Sequence, residues 1–251
     1  MLNYLKSECY RTFHRKYLYV FVGICALTAL GVCVLFGAGD TQGLPAEIVL
    51  SIVIAYLPVL GQFALLLMAN LAFSGEHKHG TLKNTVSFGV SREIIYFGKL
   101  LTAWLYSAIV LAAVIGAFLG FGILLPGIES VYEFQKTMET LGWMLLEALP
   151  LWTAALSLAV MLLFLIPSEV GAIFCYLGLM TCTGIVLSIL NTAGYSIFGE
   201  IREFLISTQL GNLPGTIGDW NQMMRCWISG LAYTAIFCLI GCGFFRKIEV
   251  R

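Results

Sequence analysis

"GEHKHGTLKNTVSFGVSR" runs from Gly75 to Arg92 and separates two long apolar segments. It holds His77 and His79, two of the chain's 3 histidines, together with Glu76, Lys78, Lys83 and Arg92. The 251-residue chain is 59% hydrophobic and 11% charged, whereas a soluble domain carries about 25% charged residues. Polarity concentrated in one short stretch of such a chain needs a physical reason.

On both sides the sequence is apolar for long distances. A run of roughly 20 apolar residues crosses the hydrocarbon core as a helix, because backbone groups in lipid must satisfy one another. Six such runs stand out: Tyr17–Phe36, Ile48–Phe73, Leu100–Leu125, Leu141–Ile166, Val170–Leu190 and Cys226–Phe245. The expected fold is therefore an all-α polytopic membrane protein with six transmembrane helices. A membrane barrel would need alternating segments of about ten residues, which are not seen. The first run is too long for the apolar core of a cleaved signal peptide, and no small-residue cleavage site precedes polar sequence. A net charge of zero gives no general attraction to nucleic acid. Seven of the 8 cysteines (Cys25, Cys33, Cys175, Cys182, Cys226, Cys238, Cys242) fall in or beside apolar runs without CxxC spacing, and read as packing residues.

Charge sets the expected orientation. With both termini inside, the inner segments collect Lys6, Arg11, Arg15, Lys16, Lys78, Lys83, Arg92, Lys99, Arg246, Lys247 and Arg251, leaving Lys136, Arg202 and Arg225 outside. Cytoplasmic loops are the ones enriched in Lys and Arg, so Gly75–Arg92 and both termini are expected in the cytoplasm. Acids such as Asp40, Glu47, Glu129, Glu133, Glu200 and Asp219 fall outside.

Residues 1–16 place Leu2, Leu5, Cys9 and Phe13 on one helical face and Ser7, Arg11, His14 and Arg15 on the other. That pattern fits a helix lying in the interface; a basic juxtamembrane tail is the alternative. Pro58 is expected to kink the second span, and Asn70 to hydrogen-bond to a neighbouring helix. Inside the opening stretch a short helix is expected from Thr81 to about Phe88, capped at Gly89, with Ser91 as N-cap of a helix starting at Arg92. "GAFLG" (Gly116–Gly120) has the small-xxx-small spacing of close helix approach. Residues 126–140 read as a polar, partly helical outer loop. Glu147 and Pro150 lie near the outer end of the fourth span. An ionisable group there is a candidate substrate contact, or it snorkels to the interface. In "IPSE" (Ile166–Glu169), Ser168 can cap the fifth helix, with Glu169 in its first turn. Within the outer segment 192–222, Ile197, Ile201, Phe204 and Leu205 recur at helical spacing, so "SIFGEIREFLISTQL" reads as one amphipathic outer helix. Trp143, Trp220 and Trp227 suit an aromatic belt. Neither an internal repeat nor a linker divides residues 1–251, which read as one membrane domain.

Catalytic motifs are lacking. The sequence has no GxxxxGK[ST] phosphate loop, no HExxH and no GxSxG. His77 and His79, two apart, would not share a helical face and have no third ligand nearby, so a solvated turn is the better reading than a metal site. Neither a catalytic nor a metal residue is assigned. The apolar lining offers Asn70, Glu147, Thr181 and Thr183 as polar points along a candidate substrate path.

The run "GEHKHGTLKNTVSFGVSREIIYFGK" resembles the segment between the second and third spans of ABC-2 type transporter permeases. The matching residues are Glu76, Gly80, Thr81, Leu82, Lys83, Ser91, Arg92, Gly98 and Lys99. The whole layout is similar, with an interfacial first helix, six spans and a long outer segment before the sixth. Where that family carries Pro before Val-Ser-Arg, this chain has Gly89. The resemblance implies a permease subunit whose 75–92 segment is a coupling helix docked on a separate ATP-binding cassette ATPase. Glu76, Gly80, Thr81, Leu82, Lys83, Ser91 and Arg92 would be the coupling residues. ATP and Mg would bind the partner ATPase, with no cofactor on this chain, and a second permease copy or paralogue would complete the transporter. Export of peptides or antimicrobials, of the lantibiotic or bacitracin type, is the implied activity, in a bacterial cytoplasmic membrane. Export of lipid or polysaccharide is the alternative, and beyond the family a channel, a scaffold or an intramembrane enzyme.

Overall fold

A computed structural model describes residues 16–37, 45–73, 91–125 and 127–247, together with Ser7, Tyr10, His14 and Gly89. The described residues form helices and no strand. We number them α1 (Lys16–Gly37), α2 (Ala46–Phe73), α3 (Arg92–Leu124), α4 (Val131–Leu165), α5 (Glu169–Thr192), α6 (Ile197–Glu203), α7 (Ile206–Thr216) and α8 (Trp220–Lys247). Helices α1 to α5 and α8 are long and apolar enough to cross a membrane. One end of the bundle carries Lys16, Arg92, Arg246 and Lys247; it is called the basic end below, and the other the acidic end.

The bundle is built around α4. Its stretch from Ala148 to Phe164 is apolar apart from Thr153 and Ser157, and 78% of its most apolar window is buried, against 11% for α3 and for α5. A helix apolar all round belongs inside. Small side chains let its neighbours approach: Ala148, Ala154, Ala155 and Ala159 are fully buried. Gly230 of α8 lies so close to Pro150 that an added Cβ would meet the Pro150 carbonyl carbon and oxygen at 2.6 Å. Further along the same seam, the Thr153 and Thr234 hydroxyls are 3.4 Å apart, and Cys238 Sγ donates to Ser157 Oγ at 3.9 Å. On the opposite flank the Trp152 indole lies against Gly61 and donates from Nε1 to the Pro58 carbonyl at 3.1 Å. Tyr176 of α5 donates to the Gln62 carbonyl at 2.8 Å. The carbonyls of α2 at Pro58 and one turn after it thus take side-chain donors from two other helices.

The third and fourth helices start well ahead of their apolar runs, at Arg92 and Val131 against Leu100 and Leu141. Each start has a capping serine: Ser91 accepts from Ile94 N–H and Ser130 from Glu133 N–H, both at 3.4 Å. Ser168 caps α5 as expected, accepting from Gly171 N–H at 3.2 Å. Inside α5, residues Gly178–Cys182 form a π-helical turn.

The outer segment differs from its sequence reading. Instead of one amphipathic helix, α6 stops at Glu203 and α7 starts at Ile206, with Leu205 extended (φ −63°, ψ 137°). The Phe204 carbonyl, which a continuing helix would need, instead accepts from Tyr233 Oη at 3.2 Å and Gln209 Nε2 at 3.1 Å. Ile197, Ile201 and Phe204 are consequently exposed. The packed face belongs to α7, where Ile206, Gln209, Leu210 and Leu213 are buried against α2 and α4. Gln209 completes its bonding by accepting from Ser229 at 2.8 Å.

Candidate functional site

The opening segment enters and leaves the bundle at the basic end, between Phe73 of α2 and Ser91 at the head of α3. Residues 74–88 lie outside the described residues, and with them Glu76, Gly80, Thr81, Leu82, Lys83 and the His77–His79 pair. Most of the interfacial helix expected over 1–16 lies outside them as well. Both anchor points of the segment are described in atomic detail.

The exit is held by Arg92. Its guanidinium donates to the carbonyls of Phe245 at 3.0 Å and Arg246 at 2.7 Å, in the last turn of α8, and sits 6.0 Å from the Phe245 ring centroid. The last four carbonyls of a helix have no intrahelical partner and carry the negative end of its dipole. A fixed cation there satisfies both needs. Arg246 in turn pairs with Glu93 in the first turn of α3. The turn before this anchor contains Gly89 at φ +81°. Proline is locked near φ −65°, so the family's Pro could not adopt this backbone, and glycine can.

The entrance is held by Lys99. Positions 92, 95, 96, 99, 103 and 106 share one face of α3, and Ile95, Tyr96, Lys99, Ala103 and Tyr106 are buried. Lys99 Nζ donates to the Ala72 carbonyl at 3.0 Å and lies 5.8 Å from the Phe73 ring centroid. A fully buried ammonium is costly, and the open carbonyl turn closing α2 offers it a partner. Beneath both anchors Phe164 packs on Phe73, Tyr96 and Phe245, with centroids 4.7, 5.0 and 4.4 Å away. Four helices thus meet on one ring. Gly241 of α8 completes the contact, its Cα facing the Tyr96 ring at a distance that admits no side chain.

The polar points of the expected substrate path do not converge. Asn70, expected to bond to a neighbouring helix, is half-buried, and its Oδ1 has no partner among the described residues. Glu147 does not snorkel. It is fully buried, and its Oε1 accepts from Gly218 N–H at 3.0 Å, which ties the turn after α7 to α4. Glu47, placed from sequence on the outer side, is buried and accepts from Ser130 N–H at 2.8 Å. Thr181 and Thr183 bond back to the Leu177 and Leu179 carbonyls of their own helix. An apolar groove of about 390 Å³ lies between α2, α3 and α4, bordered by Gly61, Trp104, Leu111 and Trp152.

Sequence reasoning missed the anchoring role of Lys99. The signal was present: its lysine falls in register with Ile95, Tyr96, Ala103 and Tyr106, on the face an amphipathic helix turns inward.

Among curated proteins no match is found for this chain. A family model described as ABC-2 family transporter protein matches residues 4–177, a region that includes both anchors of the 74–91 segment. The chain belongs to the ABC-2 family of transporter proteins, an all-α multi-pass membrane protein with a permease role in ABC transport rather than that of an enzyme.

Proposed function

We propose that this chain is the membrane subunit of an ATP-driven exporter that works with a separate ATP-binding cassette subunit. ATP and Mg bind on that partner, and this chain pairs with a second permease, identical or paralogous. The basic end faces the cytoplasm in a bacterial cytoplasmic membrane, as the distribution of Lys and Arg favours. Glu76, Gly80, Thr81, Leu82 and Lys83, with Ser91 and Arg92, form the coupling segment that seats in the ATPase.

One observation carries this reading: both ends of the segment are anchored. Lys99 holds the end of α2, and Arg92 holds the head of α3 to the end of α8. A push on a segment fixed this way reaches three helices without first taking up slack. Discrete two-state packed elements, not flexible ones, carry coupling over distance.

The cargo is an amphipathic molecule, with peptides and antimicrobials first and lipid or polysaccharide second. The apolar groove between α2, α3 and α4 supports an apolar portion in the cargo, because such a lining selects by shape and burial. Asn70, Glu147, Thr181 and Thr183 remain the proposed polar contacts. Transport of labelled peptides into inside-out vesicles, run beside labelled lipids, separates the two cargo classes. For the partner, co-purification with the ATPase should be lost in Leu82→Asp and Thr81→Pro. Unchanged binding and unchanged ATP hydrolysis in both would remove the coupling assignment.

A further inference from the structure

A cleft of about 450 Å³ lies at the acidic end, where one face of α5 meets one face of α7. Helix α7 divides cleanly. Ile206, Gln209, Leu210 and Leu213 face the core, while Thr208 and Asn212 on its other side face the cleft. From α5 come Thr181, Ile185, Ser188 and Ile189, at the i, i+4, i+7, i+8 spacing of one helix face.

The cleft has an oriented chemistry. Arg202 of α6 stands at its rim. Gly199, one turn earlier, lies against Asn191 at the end of α5, where an added Cβ would be 2.8 Å from Asn191 Oδ1. That close fit folds α6 back onto α5 and brings Arg202 over the cleft. Arg225 pairs with Glu203 and Arg246 with Glu93. The Arg202 guanidinium has no ion pair or hydrogen bond among the described residues. Below the rim Ser188, one turn before the end of α5, lines the cleft, and its hydroxyl oxygen can accept. Beside these polar groups Ile185 and Ile189 are 60% and 62% exposed, on a helix that crosses the membrane.

A cation at the rim calls for an anion. Acceptors below it call for hydroxyl or amide donors, and an apolar ledge in lipid calls for a hydrocarbon chain. We propose that this cleft binds the headgroup of an anionic phospholipid bearing free hydroxyls, its acyl chain lying along Ile185 and Ile189. The phosphate meets Arg202, and the hydroxyls donate toward Ser188, one turn from the end of α5. This binding does not depend on the transport reading.

The test uses the full chain in nanodiscs prepared from equal parts of phosphatidylglycerol and phosphatidylcholine. After extraction, mass spectrometry measures the lipid retained on the protein. Wild type should retain phosphatidylglycerol above its bulk fraction. Arg202→Gln should lower that enrichment about fivefold, the factor set by one surface Arg–phosphate interaction. Ser188→Ala should lower it as well, and Arg225→Gln should leave it unchanged. Both arginines are exposed, so these variants keep the fold, which helix content by circular dichroism confirms. Absence of enrichment in wild type overturns the proposal, and so does an equal loss in Arg225→Gln. A second arm adds excess soluble glycerol phosphate. Undiminished lipid retention supports a lipid site, whereas displacement at low concentration reassigns the cleft to a free phosphate ester and overturns it.

Discussion

Replacing Lys99 by Met removes the cation and keeps most of the side-chain volume. The charged hydrogen bond to the Ala72 carbonyl is worth about 2 kcal/mol, and the Phe73 ring adds about 1 kcal/mol. Against this loss stands relief of a desolvation penalty of several kcal/mol for a buried ammonium. The two nearly cancel globally, so the unfolding free energy should move by only about 1 kcal/mol. Locally they do not cancel. The last turn of α2 loses a tether of about 2 kcal/mol, which raises amide exchange there about thirtyfold. Hydrogen–deuterium exchange by mass spectrometry, on a peptide ending at Phe73, reads this directly beside a thermal melt. Unchanged exchange at Leu71–Phe73 would show that Lys99 does not hold the end of α2. A global loss above about 3 kcal/mol would show instead that the ammonium is a net stabiliser, contrary to the balance above.

Gly230→Ala drives a methyl group into the Pro150 carbonyl; parting α4 from α8 should cost about 2 kcal/mol, seen as a lower melting temperature, whereas Gly243→Ala, with open space at its Cβ, should melt like wild type. Glu147→Ala removes the acceptor of Gly218 N–H and should speed exchange across residues 206–219 by a free-energy loss of about 2 kcal/mol; Glu147→Gln, which keeps the acceptor oxygen, should restore most of the protection. Ser91→Ala removes a long, 3.4 Å cap, so exchange at Ile94 should rise by only about 0.5 kcal/mol, the low end for N-caps.

The spans were readable because a membrane imposes one rule on every long apolar run, and each run coincides with an observed helix to within a residue at its end. The starts at Arg92 and the head of α5 were readable too, because Ser91 and Ser168 are local caps. What sequence did not disclose is long-range pairing. Arg92 meets α8 across 153 residues, and nothing near Arg92 in the chain marks that destination. Glu47 and Glu147 read as outer or snorkelling acids because their partners are backbone N–H groups of distant turns, which any residue could supply. The break at Phe204 came from the same source: the 197–205 periodicity was real, but Tyr233 and Gln209 take the carbonyl that would have continued the helix.

The most direct test of the proposed coupling role is ATP hydrolysis by the proposed ATP-binding cassette partner, reconstituted with this chain in vesicles. Wild type, Leu82→Asp and Lys99→Met are compared there with and without cargo peptide. Leu82→Asp should lose the partner altogether. Lys99→Met should keep the partner and its basal hydrolysis but lose stimulation by cargo, because the segment docks normally on a slack α2. Full stimulation in Lys99→Met, together with partner binding in Leu82→Asp, would contradict force transmission through residues 74–91.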